Sequence, residues 1–164
     1  MSNSDMVFDL GFHNGDDTDY YLAKGLRVVA VEANPQLAQL GRERFAAALE
    51  SGRLTLVNKA VSAQQGTIPF FIHRTKSDWS SCFEEIARSD GSEPERVMVE
   101  AVTLHQLFRE FGVPNYAKVD LEGCDVFAAQ QVFEYPEKPR YISFETNKRD
   151  YPGIFSYLYL SGYR

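Results

Sequence analysis

Val7-Phe8-Asp9-Leu10-Gly11-Phe12-His13-Asn14-Gly15-Asp16-Asp17-Thr18 is followed, after a short helical stretch, by Val28-Val29-Ala30-Val31-Glu32-Ala33-Asn34-Pro35. The pair reads as strand, glycine turn, helix, strand, acidic stop. Met6 to Leu10 is an apolar run broken only by Asp9 near its carboxyl end, as a parallel strand buried on both faces requires. Gly11 and Gly15 let the backbone turn sharply and approach a ligand with no Cβ in the way. Thr18 to Lys24 has helical spacing and stops at Gly25, after which Arg27 to Val31 is a second β-branched run ending at Glu32. Glu32 lies about 20 residues beyond the glycines, the distance at which a carboxylate meets ribose hydroxyls in a βαβ nucleoside site.

Charge selects among nucleoside cofactors. A dinucleotide's pyrophosphate needs a bare helix N-terminus and G-x-G-x-x-G spacing. Here the glycines stand at 11 and 15, and Asp16 and Asp17 take the place of phosphate. Unit charges about 4 Å apart interact by roughly 4 kcal/mol at a surface-like dielectric, enough to reject an anion. An acid-lined pocket suits a sulfonium cofactor carrying a free ammonium, so the turn favours S-adenosylmethionine over NAD. As structural residues, Asp16 and Asp17 would simply be first-turn acids favoured by the helix dipole.

Outward from this unit, Asn34 caps and Pro35 opens a helix expected to run to Glu50, with Leu37, Leu40, Gly41, Phe45, Ala48 and Leu49 as its buried stripe. Arg53 to Asn58 reads as a third strand. Ala60-Val61-Ser62 leads to a Gln-Gln-Gly turn, then Ile68 to Ile72 and Val97 to Val102 alternate well enough to pair antiparallel. Between them, residues 73–95 form the one long polar stretch, a candidate lid. Thr103 caps a helix ending at Gly112. Tyr116 to Leu121 repeats the opening pattern of strand, acid, glycine and helix, the helix running from Asp125 to Phe133, and Pro139 to Phe144 followed by Ile154 to Leu160 adds a last strand and helix. Strands alternating with helices imply a doubly wound α/β fold with a mostly parallel sheet.

The chain's 164 residues suit a single domain. A net charge of −6 argues against nucleic acid or an anionic membrane as partner. The first residues lack a basic region followed by an apolar one, and no apolar run reaches the length of a membrane span, so a cytoplasmic protein is expected. Cys82 and Cys124 are distant in sequence and outside any C-x-x-C spacing, which reads as two separate reduced thiols. The two are taken as reduced thiols of a cytosolic protein, and with His13, His73 and His105 they form no ligand cluster, so no metal is expected.

Four segments together carry a family resemblance: Asp9-Leu10-Gly11-Phe12-His13-Asn14-Gly15, Val31-Glu32-Ala33-Asn34-Pro35, Asn58-Lys59-Ala60-Val61-Ser62 and Lys118-Val119-Asp120-Leu121-Glu122-Gly123-Cys124-Asp125. With Tyr141-Ile142-Ser143-Phe144-Glu145, this ordered set resembles the FkbM family of S-adenosylmethionine-dependent methyltransferases. The resemblance implies a Rossmann-like fold of the class I methyltransferase type and methyl transfer to a hydroxyl of a small molecule, sugar or glycan. It assigns Asp9, Gly11 and Gly15 to the turn around the methionine part of the cofactor and Glu32 to the ribose. Asn34, Ala60 and Val61 fall near the adenine, and Asp120, Glu122 and Gly123 form an acid-rich motif facing the methyl. The chain departs from the pattern at His13, where the family usually has Asn. It also stops at Arg164, before the antiparallel strand pair with which such enzymes close the sheet, which reads as a C-terminally truncated domain whose open edge at the Tyr141 strand is either covered by an oligomeric partner or tolerated.

Methyl transfer from a sulfonium is an in-line displacement in which the protein aligns the acceptor oxygen and removes its proton. Asp120, Glu122 and Glu145, at the carboxyl ends of two strands, are the candidate bases, joined by the imidazole of His13. The same residues have plainer roles available: strand-end carboxylates cap neighbouring N–H groups, and Asn34 caps its helix. Trp79 with Ser80 and Ser81 either covers an acceptor or docks a loop on the core. A non-catalytic cofactor-binding module is the alternative class of function, with a nicotinamide-dependent oxidoreductase third.

Overall fold

The computed structural model describes residues 4–145 and 151–164. Its first strand, β1 (Met6–Leu10), is buried at every position. The chain then passes through α1 (Asp16–Ala23), β2 (Arg27–Val31), α2 (Pro35–Arg44), α3 (Ala46–Glu50) and β3 (Leu54–Val57). A short strand β4 (Ala60–Val61), β5 (Gly66–Ile72), the brief helix α4 (Glu84–Ala87) and β6 (Glu95–Val102) follow. The remainder is α5 (Leu104–Phe111), β7 (Tyr116–Val119), α6 (Asp125–Glu134), β8 (Tyr141–Phe144) and α7 (Tyr151–Leu160).

The central sheet has five strands in the order β3-β2-β1-β7-β8, all parallel, which is the doubly wound arrangement expected. Its two helical layers follow from the two-residue period of the strands. Phe8, Leu10, Val29 and Val31 pack with Leu104, Leu107 and Phe108 of α5 and Ala128 and Val132 of α6. Val7, Val28 and Ala30, one residue out of phase, pack with Tyr21 and Leu22 of α1, Phe45, and Ala48 of α3 on the opposite face. Among the described residues β8 is one of the sheet's two edge strands, with Tyr141 exposed. A smaller sheet of order β4-β6-β5 lies beside this core, and β5 and β6 pair antiparallel with Ile68 opposite Val99, as expected.

Several boundaries differ from the sequence reading. The helix expected to run from Pro35 to Glu50 breaks at Phe45, whose backbone leaves the helical region (φ −110°, ψ 24°). The break lets the Phe45 ring drop edge-on against Phe12 at 5.9 Å. Phe12 fills the space above two glycines: a Cβ on Gly15 or Gly41 would come within 2.6 Å of its ring. Leu40, expected in the buried stripe, is exposed, because Ala38 and Gly41 provide the close-packed face. Residues 73–95 are an ordered excursion. His73 is buried, its Nδ1 accepts the Thr75 and Lys76 N–H groups, and its Nε2 meets Asp90 and Ser92. Among the described residues no helix is long and apolar enough to cross a membrane.

Candidate active site

The chain runs from β1 outward through β2 to β3, then returns to the other side of β1 as β7. Strand order therefore reverses between β1 and β7, and the carboxyl ends of these neighbours open a crevice. A cavity of about 210 Å³ occupies it.

Gly11 leaves β1 at φ 93°, and its N–H and that of Phe12 both donate to the Val31 carbonyl at 3.0 Å. A side chain at Gly11 has no room, since a Cβ would lie 1.9 Å from the Asp120 carbonyl oxygen. The turn continues to His13, at φ 50°, whose N–H donates to Glu32 Oε2 at 2.7 Å. The Asn34 N–H donates to Glu32 Oε1, also at 2.7 Å. Each carboxylate oxygen of Glu32 thus holds one backbone donor and keeps a further lone pair for a hydroxyl. Burial pushes the Glu32 carboxyl up to about 7, opposed by these two N–H groups.

Asp9 and Asn34 stand behind the cavity wall. Asp9 Oδ2 accepts the Thr18 hydroxyl at 2.6 Å, whereas Oδ1 has no hydrogen-bond donor, with the Lys118 ammonium 3.5 Å away. Burial raises the Asp9 carboxyl, with Lys118 and Thr18 acting against it. Asn34 is the α2 cap, its side chain accepting the Gln36 N–H. Gly15 packs on Phe12 and Phe45, while Gly11, His13, Glu32, Ala60, Val61, Asp120 and Glu122 line the cavity.

Lys118 is the central cation that the sequence reading missed. It rises from β7 beside Asp9 of β1, donates to the Gly11 carbonyl at 2.9 Å, and stands 3.3 Å from both Asp17 and Asp120. Burial works against its charge, but Asp9, Asp120 and Asp17 together hold its pKa above the ordinary lysine value. A signal was present: Lys118 and Asp120 are two residues apart, so they share a face wherever the strand conformation extends to the second. The acids expected to repel phosphate are accordingly not bare. Asp17 pairs with Lys118, and Asp16 with Arg44 at 2.9 Å.

Beyond β7 the loop 120–124 is held by Asp125, which accepts the Leu121 and Gly123 N–H groups at 3.0 and 3.1 Å. Glu122 is left-handed at φ 47°, and the Ser81 hydroxyl donates to its carbonyl at 2.6 Å. Oxygens of Asp120, Glu122 and Glu145 lie within 4.8 Å of one another, so the three candidate bases form one cluster. They could close on a cation, and the Lys118 ammonium already stands beside Asp120. Burial, then the neighbouring Glu145 and Asp120, push the Glu122 carboxyl up to about 8. Glu145 is also raised, by burial and Asp120.

Of the 73–95 excursion, Ser77, Asp78, Ser80 and Cys82 reach the cavity. His13 Nε2 meets Ser77 Oγ at 2.8 Å, tying this stretch to the glycine turn. Trp79 instead lies edge-on to His73 with Lys76 over its ring, a docked loop aromatic. Cys82 and Cys124, read from sequence as reduced thiols far apart in the chain, line the same wall, and Cys124 lowers the Cys82 thiol pKa. Sequence separation concealed this contact, because no local spacing encodes the meeting of two loops.

The chain superposes on methyltransferase FkbM from Methylobacillus flagellatus KT with a TM-score of 0.61 at 15% sequence identity, a likeness of fold. The superposition covers all of this chain and 38% of that one, so the chain spans well under half the length of that structure. A comparison with curated proteins gives no match. The Methyltransferase FkbM domain matches residues 9–164. On that match over nearly its whole length, the chain belongs to the FkbM methyltransferase family, and its fold is the Rossmann-like one of a methyltransferase.

Proposed function

We propose that this domain transfers the methyl group of S-adenosylmethionine to a hydroxyl of a small molecule, sugar or glycan. The observation that carries the reading is Glu32: a buried carboxylate at the switch-point crevice, anchored by two backbone donors and keeping lone pairs for a ribose diol. The Gly11 turn, too close to Asp120 to accept a Cβ, gives the backbone approach that the methionine part of the cofactor needs. Ala60 and Val61 offer an apolar surface for the adenine. When bound, S-adenosylmethionine supplies an electrophilic methyl on a positively charged sulfur, which the acids at 120 and 122 suit. Isothermal titration should show binding of S-adenosylmethionine and S-adenosylhomocysteine, weakened roughly 10- to 100-fold by Glu32→Ala, the worth of hydrogen bonds to a charged group. Binding of NAD alone would overturn the reading.

Glu122 is the base this reading selects. It lines the cavity, its left-handed backbone stores strain of the kind found at functional sites, and its carboxyl titrates near 8, close to a useful working pH. Only the ionised form can take the acceptor's proton, so the single-turnover rate should rise with pH through about 8 and then level. Glu122→Gln should remove that rise. An unchanged pH profile in the variant would assign the base elsewhere in the cluster. If cofactor binds but no hydroxyl acceptor is methylated, the non-catalytic alternative gains.

A further inference from the structure

The cavity and a second groove, floored by residues 62–69 and Phe127, have just two lining residues in common, Cys82 and Cys124. The cysteines therefore form the partition between the two spaces, and neither sulfur is held in a disulfide. Contacts on either side hold the partition together. The Ser81 hydroxyl donates to the Glu122 carbonyl at 2.6 Å and accepts the Phe83 N–H at 3.0 Å. Gly123 packs so closely that a Cβ there would lie 2.3 Å from Ile86 Cδ1. Cys124 is buried at the N-cap of α6, whereas Cys82 is partly exposed. The proposed methyl transfer uses neither sulfur.

We propose that Cys82 and Cys124 are a peroxide-reactive dithiol site, oxidised to an intrachain disulfide in the wall between cavity and groove. Cys82 is the attacking group: the hydrogen bond from Cys124 lowers its thiol pKa, outweighing the opposing effect of burial, and the thiolate is the nucleophile. Its sulfur attacks one oxygen of hydrogen peroxide, the O–O bond breaks, and Cys82 becomes a sulfenic acid as one water leaves. The Cys124 sulfur then displaces the sulfenic oxygen as a second water, forming the S–S bond. Two thiols and one peroxide give one disulfide and two waters, and a dithiol reductant reverses the change. The segments already touch, so the bond ties together two loops the fold has placed side by side.

The test is hydrogen peroxide treatment of the reduced protein, followed by intact mass and peptide mapping. The expected product has lost about 2 Da, shows no titratable thiol, and carries one peptide joined through Cys82 and Cys124. Closing a loop of this length should raise the Tm by roughly 5–10 °C. Cys124→Ser should halt the reaction at a Cys82 sulfenic acid, trapped by a cyclic 1,3-diketone. Unreacted thiols, independent sulfinic acids or exclusively interchain disulfides would each overturn the proposal. None of these readings requires cofactor or turnover, so the result stands apart from that for methyl transfer.

Discussion

Gly11→Ala is expected to cost the folded state roughly 2–5 kcal/mol and to abolish cofactor binding. A residue with a Cβ at φ 93° carries a conformational penalty of about 1–2 kcal/mol. The added methyl also lies 1.9 Å from the Asp120 carbonyl oxygen, backbone that can move only with β7, and such overpacking costs about 1–3 kcal/mol more. Gly25 and Gly52 are natural controls, since both have positive φ yet nothing within 4 Å of an added Cβ. Gly25→Ala and Gly52→Ala should therefore show only the conformational part, about 1–2 kcal/mol. Urea denaturation of the three variants separates the two contributions. If Gly11→Ala is no worse than the controls, the close approach of the first turn to the acid loop is not what fixes this position.

Lys118→Met should destabilise the protein by about 3 kcal/mol near neutral pH, the low end for breaking a buried pair, because Asp17 is exposed. The loss comes mainly from Asp9, which would remain buried with an oxygen that no donor reaches. Burial places the Asp9 carboxyl above its unfolded value, and removing the ammonium raises it further. A group whose folded pKa is raised contributes stability that is complete below its unfolded pKa and lost as pH rises through the folded one. The deficit of Lys118→Met should accordingly shrink as pH falls through the raised folded value of Asp9, and be gone below the ordinary aspartate value of about 3.9. Adding Asp9→Asn should recover much of the loss at neutral pH, and a double-mutant cycle measures the coupling. Full additivity would mean that the lysine acts only on Asp17 and Asp120.

The sheet was legible from sequence because each strand carries its own signal: Met6 to Leu10 is buried at every position, and the alternation of Ile68–Ile72 and Val97–Val102 matches their antiparallel pairing. The Glu32 position was legible for a similar reason, since one βαβ unit sets its distance from the glycines. What escaped depends on contacts between remote segments. The break at Phe45 answers to the Phe12 ring, and Lys118 gains its importance only when β7 lies beside β1. Within residues 73–95, His73 accepts from Thr75 and Lys76 and reaches Asp90 and Ser92, contacts that no local pattern encodes.

Phe12 points to a constraint on how this sequence can drift. Its ring occupies the volume that side chains at Gly15 and Gly41 would need, and those positions lie in separate segments, the turn before α1 and the body of α2. The three sites are therefore epistatic. A larger residue at 41 becomes tolerable only after the ring at 12 has been reduced, and reducing the ring first leaves a void between α2 and the turn that bears His13. Whichever step comes first passes through a destabilised intermediate, by a clash in one order and a cavity in the other.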